Sequence, residues 1–139
     1  MNAVAVVGLL FLAACNSSSI TRSTVPGALN PDVTQANVHE TVCRIGWTHT
    51  IRPPVTWSQP LKHQLAAAQG IRVQDAELDH LIPLNLGGAP RDPANLWLQR
   101  WDEARAKDDD ELELYHAVCS GRITLEQAQR RILDKWGPR

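Results

Sequence analysis

An uncharged apolar run opens the chain and a polar stretch without period follows it. Only from about residue 41 do apolar positions recur at spacings that build structure. The opening run, MNAVAVVGLLFLAAC, is too short to span a bilayer as a stable helix and stands where a secretory signal stands. The next stretch, NSSSITRSTVPGALNPDVTQANV, is dominated by Ser, Thr, Asn and Pro, which predicts a flexible tether. The predicted organisation is a signal over 1–15, a tether over 16–40 and a folded domain over 41–139.

Within that domain, VCRIGWTHTIRPPV (42–55) is rich in β-branched and aromatic residues and ends at Pro-Pro, so it reads as a short strand or extended segment. Ser58 is expected to cap a helix with Pro60 in its first turn, Leu61, Leu65 and Ala68 on one face, and Gly70 as its stop. GIRVQDAELDHLIPL reads as an irregular strand, and GGAPRDPAN as loop, because its Gly and Pro residues break regular structure. From about Trp101 to Val118 the period turns helical, with Leu112, Tyr115 and Cys119 on a stripe widened by Leu114 and Val118. Thr124 and Gln127 form the signature of a capping box before a last helix that carries Leu125, Ala128, Ile132 and Trp136 and stops at Gly137-Pro138. The predicted class is α+β, with few short strands and about three helices.

Composition narrows the class without naming a function. The chain has 139 residues, 43% of them hydrophobic and 21% charged, which suits one modest globular domain. A formal net charge of −1 gives no overall basic footprint for nucleic acid. The three cysteines add a compartment argument. Leu12-Ala13-Ala14-Cys15 resembles a bacterial lipobox, which implies lipidation at Cys15, export, and a membrane anchor at the cell envelope. Two features qualify it. No Lys or Arg precedes the apolar run, and an ordinary signal peptide with a chance Cys is the alternative. Asn16 is not the aspartate of a retention signal, which leans the anchor to the outer membrane. Cys43 and Cys119 are then left for one disulfide in an oxidising compartment, contributing roughly 3–5 kcal/mol in the chain-entropy model. Two buried free thiols are the alternative.

The stretch AELDHLIPLNLGGAPRDPANLWLQ (76–99) carries the candidate chemistry. Asp79 offers hard oxygen ligands suited to Mg²⁺ or Mn²⁺, and His80 can take a proton from water. Neighbours in a strand point to opposite faces, so a shared site requires the backbone to bend there. Asn95, at the end of a Gly/Pro loop, can pin that loop by accepting from an N–H and donating to a carbonyl. Phosphodiester hydrolysis uses such a set, with an ion to stabilise phosphate charge and an imidazole to activate water.

This core resembles that of HNH endonucleases, and with CRIGWTHTIRPPVTW, AKDDDE and VCSGRITLEQAQ the resemblance extends over roughly 42–136. It implies a ββα-metal fold, with Asp79 as metal ligand, His80 as general base and Asn95 as the loop-orienting amide. It also implies a divalent ion, Mg²⁺ or Mn²⁺ with Zn²⁺ as alternative, and nucleic acid as partner, DNA rather than RNA. Lys107 matches the family's helix lysine and is a candidate for contacting phosphate or the reacting group, with a surface ion pair as its ordinary role. The family's last ligand, His or Asn, falls on Ala104, which cannot bind a metal. Asp102, Glu103 or Asp108 could substitute, Asp108 being the choice carried forward as metal ligand. A hydrogen-bonded knot of Asp79, His80 and Asn95 in a non-catalytic envelope lipoprotein is the competing reading. Arg44 and Arg52, interleaved with Trp47 and Trp57, can hold phosphate and stack bases, or simply pack. His49 and His63 read as surface or packing residues, Trp97 as core, and the run Asp108 to Glu111 as a solvated helix face.

Overall fold

The computed structural model describes residues 21–139. The signal over 1–15, Cys15 and the first part of the tether therefore lie outside the described residues. Among the described residues, no helix is long and apolar enough to cross a membrane.

The described residues form an α+β structure, with four helices and one two-stranded antiparallel sheet. Two helices come first, α1 (Trp47–Ile51) and α2 (Val55–Gln69). The strands β1 (Ala76–His80) and β2 (Leu96–Arg100) pair from Ala76 opposite Arg100 to His80 opposite Leu96. Helix α3 (Trp101–Cys119) starts at the residue after β2, and α4 (Leu125–Trp136) folds back against it. The hairpin and α3 thus follow one another with a single long loop, 81–95, interposed between the strands.

Three expectations change. The segment 42–55 is not a strand: it forms turns and α1. Among the described residues no third strand lies beside it to satisfy an extended backbone, whereas Val38, Val42, Trp47 and Ile51 recur at nearly helical spacing and turn into the core. Helix α2 starts earlier than expected, with Pro54 rather than Ser58 at its N-cap, so Pro60 lies inside it. Pro60 is on the exposed face, where water can bond the carbonyl its missing N–H leaves free. Gly70 does end α2, at φ 64°, a left-handed cap that favours glycine. Third, the stretch expected as tether is part of the packed structure from residue 21 on. Gly27 N–H donates to the Ala94 carbonyl at 2.8 Å, Asn30 N–H to the Gly87 carbonyl at 2.9 Å and Ser23 N–H to the Trp136 carbonyl at 2.8 Å.

The main core joins Val38, Val42 and Trp47 to Leu81, Ile82 and Trp97 and to the inner faces of α3 and α4, where Ile132 and Trp136 are fully buried. The capping box is present: Gln127 N–H donates to Thr124 Oγ1 at 3.1 Å, and Thr124 N–H donates to Gln127 Oε1 at 2.9 Å. Cys43 and Cys119 form a disulfide with 5.6 Å between Cα atoms, joining the turn before α1 to the end of α3.

Candidate active site

The long loop between the strands is fixed from below. Asn95 is fully buried, and its Oδ1 accepts from Ile82 N–H at 2.9 Å. Its Nδ2 donates to the carbonyls of Ile82 at 2.9 Å and Ala89 at 3.0 Å. One amide therefore closes both ends of the loop, the pinning role its sequence position implied. Gly88 is needed for the same closure: a Cβ there would lie 1.7 Å from the Ile82 carbonyl oxygen and 2.8 Å from Asn95 Nδ2.

That loop in turn sets His80. Its Nε2 lies 2.9 Å from the Pro90 carbonyl oxygen. A carbonyl has no proton to give, so Nε2–H is the donor, and the neutral ring keeps its lone pair on Nδ1. Burial pulls the His80 pKa down; the Pro90 carbonyl and Asp79 work against that shift without cancelling it. The ring is held as a neutral base.

Asp79 is held from the other side. Trp97 Nε1–H donates to its Oδ2 at 3.2 Å, and Lys107 Nζ reaches the same oxygen at 2.8 Å. Both contacts fall on Oδ2, leaving Oδ1 without a partner among the described residues. Lys107 is neither a surface ion pair nor placed to meet a substrate. It is fully buried, donates to the His80 carbonyl at 2.9 Å and pairs with Glu111 as well as Asp79. Burial alone would lower its pKa, but the two carboxylates raise it, so it stays an ammonium. It fixes Asp79 and the His80 backbone relative to α3.

Asp79 and His80 border one polar cleft of about 240 Å³. Glu77, Asp108 and Glu111 border it too, as do Thr48 and Arg52. No backbone bend is required for this sharing. Among the described residues β1 has one partner, and its four consecutive residues Glu77 to His80 all line the cleft. Four carboxylates thus face one buried ammonium. Burial and the neighbouring charges of Asp79 and Asp108 push the Glu77 pKa up to about 7. Burial also pushes Glu111 up to about 7, with Lys107 opposing and Asp79 adding to the shift.

Of the substitutes for the ligand missing at Ala104, only Asp108 reaches the cleft. Asp102 pairs with Arg100, and Glu103 accepts from Thr21. Ala104 itself faces the core. Glu77 belongs to the site and was missed; Glu111, in an acidic run weighed as a metal binder but expected as a solvated helix face, belongs to it as well. Glu77 lies two residues before Asp79 on the strand, and Glu111 lies three after Asp108 and four after Lys107 on the helix, so ordinary spacing rules would have grouped them. Of the flanking candidates, Arg52 reaches the cleft, Arg44 is exposed, Trp47 and Trp97 are core, and His49 and His63 are exposed.

The donor set fits a hard divalent cation. It supplies carboxylate oxygens in excess of positive charge, a free oxygen on Asp79, and an adjacent neutral imidazole. Among the described residues, no group of three or more His, Cys, Asp and Glu side chains is arranged to hold a metal ion. Comparison of the chain with protein-family models, with curated proteins and with solved structures gives no match.

Proposed function

We propose that this protein is a metal-dependent phosphodiesterase acting on nucleic acid, with an HNH-like ββα core formed by β1, β2 and α3. The observation that carries the reading is the pairing, along one strand, of a carboxylate-rich cleft with a neutral histidine whose free nitrogen is a base. Mg²⁺ or Mn²⁺ held by Asp79 and Asp108 would supply charge stabilisation to the phosphate and the leaving oxygen. His80 Nδ1 takes a proton from the attacking water, and the Pro90 carbonyl holds the ring in the tautomer this requires. Lys107 positions Asp79, and Asn95 positions the loop that carries Pro90. Arg52, which lines the cleft, is the cation available to a phosphate oxygen. In this reading the lipobox at Cys15 would tether the enzyme at the envelope.

The experiment is cleavage of a labelled oligonucleotide by the full chain with Mg²⁺, Mn²⁺ or Zn²⁺. Cleavage that needs Mg²⁺ or Mn²⁺, stops with chelator and is lost in His80→Ala is the expected result. No cleavage with any of these ions would overturn the reading. One observation favours a second reading, a non-catalytic binding module: Lys107 already neutralises part of the Asp79 charge that a metal would use. In that case His80→Ala would leave every measurable property except local stability unchanged.

A further inference from the structure

Beside the polar cleft lies a second one of about 190 Å³, walled by Pro53, Val55, Trp57 and Leu96. Arg52 and His80 border both clefts, so an apolar slot and an acid-lined slot meet at the candidate base. The apolar slot is not sealed: Val55 is 68% exposed and Trp57 half-buried. The Arg91 guanidinium lies 5.8 Å from the Trp57 ring centroid, which places a second cation at this side of the site.

A nucleotide has the complementary layout. It joins an anionic phosphate to a flat base with apolar faces, and an indole is a sequence-tolerant surface for such a face. Arg52, which lines the slot, and Arg91, beside Trp57, are the cations available to neighbouring phosphates. We infer that the slot walled by Trp57 and Leu96 is a nucleobase subsite for an unpaired strand, seating the base next to the phosphate at His80. The inference rests on the phosphodiesterase reading for where that phosphate lies. A base inside a duplex is stacked on both faces and cannot enter a slot without being flipped out, at a cost of a few kcal/mol. A formal net charge of −1 supplies no overall electrostatic attraction to offset that cost. The substrate class is therefore single-stranded nucleic acid.

The test is equilibrium binding of the full chain, with Ca²⁺ as the cation, followed by fluorescence anisotropy. The probes are a labelled oligothymidylate, a strand of equal length built from abasic units, and a duplex of mixed sequence. The thymidylate is expected to bind roughly ten-fold tighter than the abasic strand, within the range of one stacked base, and more tightly than the duplex. Trp57→Ala should abolish that difference, and Trp57→Phe should keep most of it. Equal affinity of the native chain for the based and abasic strands overturns the inference, as does tighter binding of the duplex. A difference that survives Trp57→Ala overturns it too, and if Trp57→Ala does not fold, the native-chain comparison decides alone. Cleavage of the same thymidylate with Mn²⁺ judges the phosphodiesterase reading separately. Base-dependent binding without cleavage would remove that reading, and cleavage without base dependence would remove the subsite.

Discussion

Replacing Asn95 by alanine isolates the contribution of a single side chain to the site. The substitution removes one acceptor and two donor contacts, all between 2.9 and 3.0 Å, from a position with no solvent access. It leaves the Ile82 N–H and the carbonyls of Ile82 and Ala89 short of partners. A buried group left unmade costs about 1–3 kcal/mol. The N–H bears the larger share, since each carbonyl has a second lone pair, so the loss is about 3–5 kcal/mol. Against a total stability of about 5–15 kcal/mol this is a large fraction. With a urea dependence near 2 kcal/mol/M, the unfolding midpoint should fall by about 2 M. Urea unfolding followed by tryptophan fluorescence reads this directly. Asn95→Asp is the informative partner. It keeps an acceptor for Ile82 N–H but turns an oxygen towards two carbonyls, so it should be at least as damaging at neutral pH and recover partly in acid. A midpoint shift below about 0.5 M for Asn95→Ala would refute the claim that this amide holds the loop.

Three further outcomes are expected. Lys107→Met leaves Asp79 and Glu111 facing each other without their ammonium, and should cost about 3–5 kcal/mol at pH 8 and less at pH 5, where Glu111 is protonated; equal losses at both pH values would contradict the shared-ammonium arrangement. Glu77 and Glu111 have folded pKa values of about 7 against an ordinary 4.5, so between those values the folded chain binds more protons than the unfolded one, and their contribution to stability falls as pH rises. His80, with its pKa lowered, has the opposite sign: its contribution is lost as pH falls below its ordinary 6.5. With two carboxylates against one imidazole, the metal-free urea midpoint should fall from pH 5 to pH 7.5, and Glu77→Gln should flatten the slope; a midpoint rising across that window would show that the carboxylates are not raised. Reduction of Cys43–Cys119, whose partners are 76 residues apart, should lower stability by about 4.5 kcal/mol in the chain-entropy model, read as the difference in urea midpoint with and without dithiothreitol.

The parts of this site that share a short stretch of chain were legible before the structure. Asp79, His80 and Asn95 announce themselves by residue type and by the Gly/Pro loop between them; α4 follows from its apolar period and capping box, and α3 from its period in part, since Leu112 of the expected stripe is exposed and Leu114, Ala117 and Val118 are the buried positions. What stayed hidden depends on which face a residue takes. The run Asp108 to Glu111 looks like one solvated surface, yet on a helix its members point in different directions. Asp108 and Glu111 turn to the cleft, whereas Asp110 accepts from Trp136 Nε1 at 2.7 Å. Lys107 was legible as a matching position but not as a buried charge, because its burial is produced by Asp79 and the His80 carbonyl, more than twenty-five residues earlier. Segment 42–55 was misread because β-branched identity was weighed above spacing. The described part of the tether was misread because its anchors are main-chain hydrogen bonds and a few widely spaced side chains, Val25, Val33 and Val38 among them, which make no apolar period.

The attachment of residues 21–40 has a consequence for how the chain is made. Ser23 bonds the carbonyl of Trp136, and the Gln35 side chain accepts from the first N–H of α4, Leu125, at 2.7 Å. A ribosome delivers the early segment long before it delivers these late partners. Gly27 and Asn30 meet their partners, Ala94 and Gly87, earlier in synthesis, but Ser23 and Gln35 have none until α4 has been made. The segment is therefore fastened in separate stages, and the last of them is reached only once the final helix has left the ribosome.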